Sequence, residues 1–376
     1  MKILFLSEIK WRYLRTRKQQ IVRRFPRDWQ ILFVEPYTVG RENRFRLQRE
    51  GNLSHLTVPY FKNFPQRWLQ RLLSLAVVRG VVTLVSAAWL WIILRTKGFS
   101  RPDVVLVSNI YYANIMHFFL PDRPVIYDCN DDHLSFPLTP KWARKYFLSL
   151  CRRADRIVCS SQALREIIPS EHRHKIAMIG NGVDTSLFGT NIGEIPETLK
   201  TLRRPILLYL GALSEWIDFD LLQQVAERHP DKTLTLVGPV AAGVRPQLQT
   251  LLQRTNVKYL GEVGHDAIAA YISAADVCLI PFVKNKLTRG VNPNKLYEYL
   301  AAGKPVVSVD ISLEVVALKD EIFLAENHQN FVRQIDAALG ASNERVAQRQ
   351  QIALANDWQE KANQMVALIA KVSALR

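Results

Sequence analysis

Acidic residues are scarce where this 376-residue chain begins. Residues 1–101 carry 5 Asp and Glu against 20 Lys and Arg, whereas residues 102–376 carry 29 against 30, so the net charge of +16 sits almost wholly in the first quarter. A charge placed this way suits a polyanion, either nucleic acid or an anionic lipid surface. No nucleic-acid partner is expected, because the basic region holds no recognisable reading module and is interleaved with a long apolar stretch.

Cysteine is equally sparse. The four residues Cys129, Cys151, Cys159 and Cys278 show no C-x-x-C spacing and lie mostly in apolar runs, which argues against a zinc site or a disulfide framework and for buried thiols in a reducing compartment. Glycine is missing from the stretch after the first apolar segment, SEIKWRYLRTRKQQIVRRF, so no G-x-G-x-x-G turn is present and a nicotinamide or flavin dehydrogenase is not expected. Walker A, G-x-S-x-G and H-E-x-x-H patterns are absent as well, which removes several hydrolase classes. The opening MKILFLSEIK has too short an apolar core, broken by Glu8, for a signal peptide.

A long hydrophobic run is also lacking. Within 72–94 the uninterrupted apolar part is only 80–94, short of the roughly 20 residues of a membrane span. Arg79, Thr83 and Ser86 recur there at spacings of four and three, a narrow polar stripe on an otherwise apolar helix, and Arg67, Arg71, Arg95 and Lys97 flank it. The pattern predicts a helix lying in a membrane surface, with a buried crossover helix or a true span as the other readings.

What remains is ordinary globular material: 48% hydrophobic and 10% aromatic residues, enough for two cores. Short apolar segments alternate with helical ones, the mark of parallel sheets with crossover helices. Strands are predicted at 3–6, 30–34, 104–107, 125–127 and 156–159, and again at 206–210, 233–237, 257–260, 277–280 and 306–309. The predicted fold class is α/β, with two Rossmann-like halves joined through the polar segment 180–205.

Chemistry concentrates at strand ends. After VIYD come Asp131, Asp132 and His133, placed where open α/β sheets bind ligands; His133 can donate to a sugar hydroxyl and either aspartate can orient an acceptor or take its proton, the alternative being helix capping. Gly211 follows the first strand of the second half and would let a backbone approach a phosphate. The stretch GVNPNKLYEYLAAGKPVV spans 290–307; it predicts a short helix capped by Asn292, on which Asn294, Lys295 and Glu298 share a face. Its N-terminus, Lys295 and the preceding Arg289 favour a phosphate, and Glu298 can accept hydrogen bonds from ribose hydroxyls.

These residues carry a resemblance. GNGVDTSLF, NVKYLGEV, AAYISAADVCLIPF and NPNKLYEYLAAGKPVV occur in this order and together resemble the C-terminal half of a group 1 (family 4) glycosyltransferase of the GT-B fold. NDWQEKANQMVALI is similar to that family's closing helix, and YDCNDDH with the W-x-x-L-R-T-R-K-Q segment resembles its teichuronic-acid branch. The resemblance implies two Rossmann-like domains with parallel sheets facing across a cleft. It divides the chain into 1–181 for the acceptor and membrane, 182–352 for the nucleotide-sugar donor, and 353–376 as a helix returning to the first domain.

It also implies roles. Glu298 would sit on the ribose, and Asp131 aligns with the family's acidic residue. Beside the resemblance, from their own positions in the chain, Gly211, Arg289, Gly290, Val291, Asn292 and Lys295 would hold the donor, Asp132 and His133 would join Asp131 as catalytic, and Trp11, Arg15, Arg17 and Arg79 would meet acceptor or membrane. The family's first Glu is replaced by Gly290, and its Arg and Lys after the first strand of the donor domain are absent from GALSEWID. Transfer would be metal-independent and retaining, with no cofactor beyond the nucleotide-sugar, onto a lipid-linked or glycan acceptor in cell-envelope polysaccharide synthesis. The expected location is cytoplasmic, peripheral on the inner face of the plasma membrane. A degenerate nucleotide-sugar-binding module and a nucleotide-sugar epimerase of the same fold are the alternatives.

Overall fold

The computed structural model describes residues 1–12, 15–40, 42–60, 66–120, 122–136, 139–188, 194–341 and 345–374. The chain forms two compact units, Met1–Ile179 with Ala362–Arg376, and Gly180–Lys361. The last helix, Trp358–Ser373, thus begins in the second unit and ends in the first.

The first unit is built on eight strands: β1 (Lys2–Leu6), β2 (Gln30–Pro36), β3 (Gln48–Glu50), β4 (Leu53–Val58), β5 (Val104–Val107), β6 (Val125–Cys129), β7 (Arg156–Cys159) and β8 (Ile176–Met178). They run in the order β3-β4-β2-β1-β5-β6-β7-β8, parallel except for the β3–β4 pair. Central strands such as KILFL and VVLV are apolar on both faces because helices cover both, and Leu4, Leu6, Val105 and Val107 are buried together in one core. From β1 the chain works outward to one edge and from β5 to the other, so the order reverses between β1 and β5. Side chains just past those two strands therefore meet at a switch point.

The second unit repeats the plan with β9 (Ile206–Leu210), β10 (Thr233–Val237), β11 (Val257–Tyr259), β12 (Val277–Ile280), β13 (Val306–Val309) and β14 (Phe323–Ala325). The order is β11-β10-β9-β12-β13-β14 and every pair is parallel. Its switch point lies between β9 and β12. The four cysteines are free and buried.

The apolar segment of the first unit forms two helices, Arg67–Ser74 and Ala76–Thr96. The polar stripe of the longer one faces inward, opposite to the expected arrangement. Ser86 Oγ donates to the Pro59 carbonyl at 2.6 Å, Thr83 hydrogen-bonds the Tyr60 hydroxyl, and Ala87, Leu90 and Leu94 pack into the core beside them. Val77, Val81, Leu84, Val85, Trp89, Trp91 and Ile92 are left exposed, Val77 by 78% and Leu84 by 62%. Arg79 does not reach outward as expected. Its Nη1 donates to the carbonyls of Leu73 (2.6 Å) and Ser74 (2.9 Å), closing the end of the preceding helix, and its guanidinium lies 4.7 Å over the Trp142 ring.

Candidate active site

The second unit assembles a cation at its switch point. Lys295 stands in the first turn of the helix Asn294–Ala301, which leads into β13, and its Nζ lies 5.1 Å from the centroid of the Tyr209 ring and 4.9 Å from that of Phe282. Two aromatic faces hold an ammonium by their quadrupoles, each worth about 0.5–2 kcal/mol. Tyr209 is on β9 and Phe282 just beyond β12, so the charge sits between the two strands where the order reverses.

Gly211 shapes the space beside it. Its φ of +149° is one that L side chains rarely adopt, and a Cβ there would lie 2.8 Å from Lys295 Cε and 2.9 Å from Nζ. Tyr299 fixes the preceding residue, its hydroxyl accepting from the Leu210 N–H at 2.9 Å, while the Tyr209 hydroxyl donates to the Ala212 carbonyl at 2.9 Å. The end of β9 is thus held open against the lysine.

Burial pulls the Lys295 ammonium down to about 8, with the Glu298 charge acting in the opposite direction. Burial likewise raises the Glu298 carboxyl, with Lys295 opposing. Asn294, Lys295 and Glu298 are half-buried, and the buried Asn294 Oδ1 has no hydrogen-bond partner among the described residues, whereas Leu296, Tyr299 and Leu300 are fully enclosed. Polar atoms short of partners on one face of a helix suit a polar ligand.

One detail differs from expectation. The residue capping this helix is Pro293 rather than Asn292, and it supplies no side-chain cap. Asn292 is buried instead: its carbonyl accepts from Asn181 Nδ2 at 2.7 Å and its side chain hydrogen-bonds the Tyr297 hydroxyl. Gly290 is buried and ends the short helix Lys286–Arg289 at an ordinary φ of −84°, Val291 packs half-buried against the core, and Arg289 is exposed.

The first unit gathers charge at its own switch point. Glu8, just past β1, forms an ion pair with the buried Lys18 and accepts from Ser108 Oγ, just past β5. Burial alone would raise the Glu8 carboxyl; the charges of Lys18 and His133 and the hydrogen bonds from Lys18 and Ser108 outweigh it and hold the group below its usual range. Asp131, beyond β6, is raised by burial, with Lys18 and His133 opposing and Glu8 and Asp128 adding to the rise. Asn130 Nδ2 donates to Asp131, and the buried His133 Nε2 has no hydrogen-bond partner among the described residues. A carboxyl whose burial favours its neutral form, close to an imidazole, can orient or hold a hydroxyl.

Three expected contacts do not survive here. Asp132 is buried, accepting from the Leu134 N–H at 3.1 Å and from Ser135 Oγ, so it holds a turn. Arg17 is not at the surface: its Nε pairs with Asp128 Oδ1 at 3.2 Å, both side chains buried. Trp11 is buried against Phe33, its indole donating to Glu50 Oε2 at 2.9 Å, with the Arg23 guanidinium 4.9 Å above the ring. Arg15 is exposed. Glu8 and Lys18 escaped the sequence reading, although the rule that singled out Asp131, a polar residue just past a strand, applies equally to Glu8. Among the described residues no group of three His, Cys, Asp or Glu is set to hold a metal ion.

Solved structures with this fold include sucrose-phosphate synthase from Thermosynechococcus elongatus, with a TM-score of 0.75 at 12% identity over all of both chains. Another is Anabaena Alr3699/HepE in complex with UDP, with a TM-score of 0.68 at 18% identity over 99% of this chain and 100% of that one. The fold is therefore GT-B. Family models described as Glycosyltransferase Family 4 and Glycosyl transferases group 1 match residues 44–187 and 204–341, and the chain belongs to the group 1, family 4 glycosyltransferases. It is 28% identical over 278 residues to a Bacillus subtilis (strain 168) protein described as "Putative teichuronic acid biosynthesis glycosyltransferase TuaH", covering 69% of this chain and 68% of that protein.

Proposed function

We propose that this glycosyltransferase moves a sugar from a nucleotide diphosphate donor, UDP-linked by the likeness to the UDP-bound HepE, to a membrane-proximal acceptor in cell-envelope polysaccharide synthesis. The observation that carries the reading is the Lys295 ammonium, held over Tyr209 and Phe282 against the Gly211 backbone, with Glu298 one turn further on. In that placement the diphosphate lies at Lys295 and the helix N-terminus, and the ribose at Glu298. As the glycosidic bond breaks, negative charge grows on the departing diphosphate, and fixed cationic donors stabilise that state without a divalent metal. Asp131 and His133 of the first unit orient the acceptor. The family resemblance supports retention of configuration.

The membrane part of the reading rests on the outward apolar face of the helix Ala76–Thr96 and on the basic excess around it. The inner face of that helix belongs to the core of its unit, which favours docking onto a leaflet over crossing it. Buried free thiols accord with the cytoplasmic side.

Gly290 in place of the family's first Glu, and GALSEWID without Arg or Lys, favour one other reading, a module that binds nucleotide-sugar without transfer. Incubation with UDP-, GDP- and dTDP-sugars and bacterial membrane extracts separates the two. The transferase reading expects sugar in the lipid fraction with stoichiometric nucleoside diphosphate, lost in Lys295→Ala; tight binding with no release of diphosphate under any combination supports the module.

A further inference from the structure

The C-terminal end of the helix Ala76–Thr96 carries a cavity of about 490 Å³ lined by Trp91, Leu94, Arg95, Ser100 and Arg101. The chain makes it by reversing sharply: the Lys97 N–H returns to the Ile93 carbonyl at 2.9 Å, the Phe99 N–H to the Leu94 carbonyl at 2.7 Å, and Gly98 takes a φ of +72°. Ser100 and Arg101 are thereby brought back beside Arg95. The last helical carbonyls are occupied by these bonds, so the negative end of the helix dipole is muted. Two guanidiniums and a hydroxyl line the cavity with no acidic side chain among them. The Arg95 guanidinium is held 4.5 Å over the Trp91 ring, which orders it without consuming its charge.

We propose that this cavity is a headgroup site for an anionic phospholipid of the bilayer on which the helix lies. The proposal rests on the membrane reading above and adds a specific ligand site to it. Its lipid character comes from continuity. Trp91 belongs both to the cavity and to the exposed stripe that runs through Ile92, Leu84 and Val81 to Val77 at helical spacing. A phosphate bound at Arg95 and Arg101 leaves its acyl chains to run along that stripe, whereas a free phosphate would leave the stripe in water. Charge complements this: residues 66–102 contain six Arg and Lys and no Asp or Glu. Guanidinium forks match phosphate oxygens in pairs, which sets such a site apart from a diffuse basic surface.

Flotation with phosphatidylcholine vesicles, with and without phosphatidylglycerol, tests both layers. Arg95→Gln with Arg101→Gln is compared with Arg67→Gln with Arg71→Gln, which removes the same charge at the far end of the helix pair. Diffuse attraction weakens both equally, about 30-fold for two charges. The headgroup site predicts a further loss of about tenfold in the Arg95/Arg101 variant alone, and a similar extra loss when both are changed to Lys, which keeps charge but not the fork. Equal losses in the two Gln variants overturn the site and leave the membrane reading standing. Flotation of the native protein with neither vesicle overturns both. Release from vesicles by millimolar inorganic phosphate shows a free-anion site and overturns the lipid assignment. Val81→Glu with Leu84→Glu should abolish flotation altogether; if it instead splits a dimer, a second copy covers the stripe and the proposal fails. All these side chains are exposed, and an unchanged melting temperature confirms folding in each variant.

Discussion

Raising the pH should strip the proposed donor site of its charge before it harms the protein elsewhere. Lys295 has its ammonium drawn down to about 8 by burial, so it is about nine-tenths charged at pH 7 and about one-tenth charged at pH 9. A bound diphosphate beside it favours the charged form and lifts that value well above the working range. The sign follows: affinity is full below about pH 8 and falls about tenfold per pH unit above it. Between pH 7 and pH 9 the loss is about tenfold, or about 1.4 kcal/mol. The diphosphate does not compensate, because its ionisation near pH 6 is already complete. Calorimetric titration of UDP at pH 7, 8 and 9, repeated in buffers of different ionisation enthalpy, reads both the affinity and the proton taken up, about half a proton per UDP at pH 8. Lys295→Met should bind weakly at pH 7 with no further slope. An affinity that stays flat to pH 9, or a slope that persists in Lys295→Met, refutes the placement of the diphosphate at this lysine.

Other outcomes follow from the same geometry. Gly211→Ala puts a methyl 2.8 Å from Lys295 Cε at a φ of +149°, and should cost about 1–3 kcal/mol of stability and most UDP affinity, read by thermal melting and calorimetry. Asp128→Ala removes the buried carboxylate that pairs with Arg17 Nε and should destabilise the first unit by about 3–5 kcal/mol in urea while UDP affinity stays unchanged. His133→Gln and Asp132→Asn should part ways. The first should lower kcat with little change in melting temperature, and the second should lower melting temperature through the loosened turn at Leu134 and Ser135.

Four strands of the second unit are legible because they are buried on both faces: 206–210, 233–237, 277–280 and 306–309 stand where the apolar runs stand. The strands missed, β3, β4, β8 and β14, are either three residues long or mixed in polarity, as in LSHLTV, and present too little pattern to read. In the helix Ala76–Thr96 the polar stripe was visible, but periodicity does not say which face meets the core. Ser86 and Thr83 turn inward because Pro59 and Tyr60 offer them partners, and those partners lie far back in the chain. At the proposed donor site, helical spacing put Lys295 and Glu298 on one face of the helix Asn294–Ala301. Tyr209 and Phe282, which hold the lysine, could not be found that way, since only the switch between β9 and β12 brings them together. Trp11 and Arg17, expected to meet acceptor or membrane, are buried instead. Glu35, Glu50 and Asp128 supply the partners that make their burial affordable.

The central claim is that the face of Lys295 and Glu298 binds a nucleotide diphosphate with its ribose on the carboxylate. Calorimetry with UDP, GDP and dTDP, and with 2′-deoxy-UDP, on the native protein and Glu298→Ala tests it most directly. The account predicts tight binding of one nucleotide by the native protein, a loss of about 1–3 kcal/mol in Glu298→Ala, and a penalty for the missing hydroxyl that the variant no longer shows. Folded protein that binds none of these nucleotides, or a variant that binds as well as the native chain and still discriminates the deoxyribose, would contradict it.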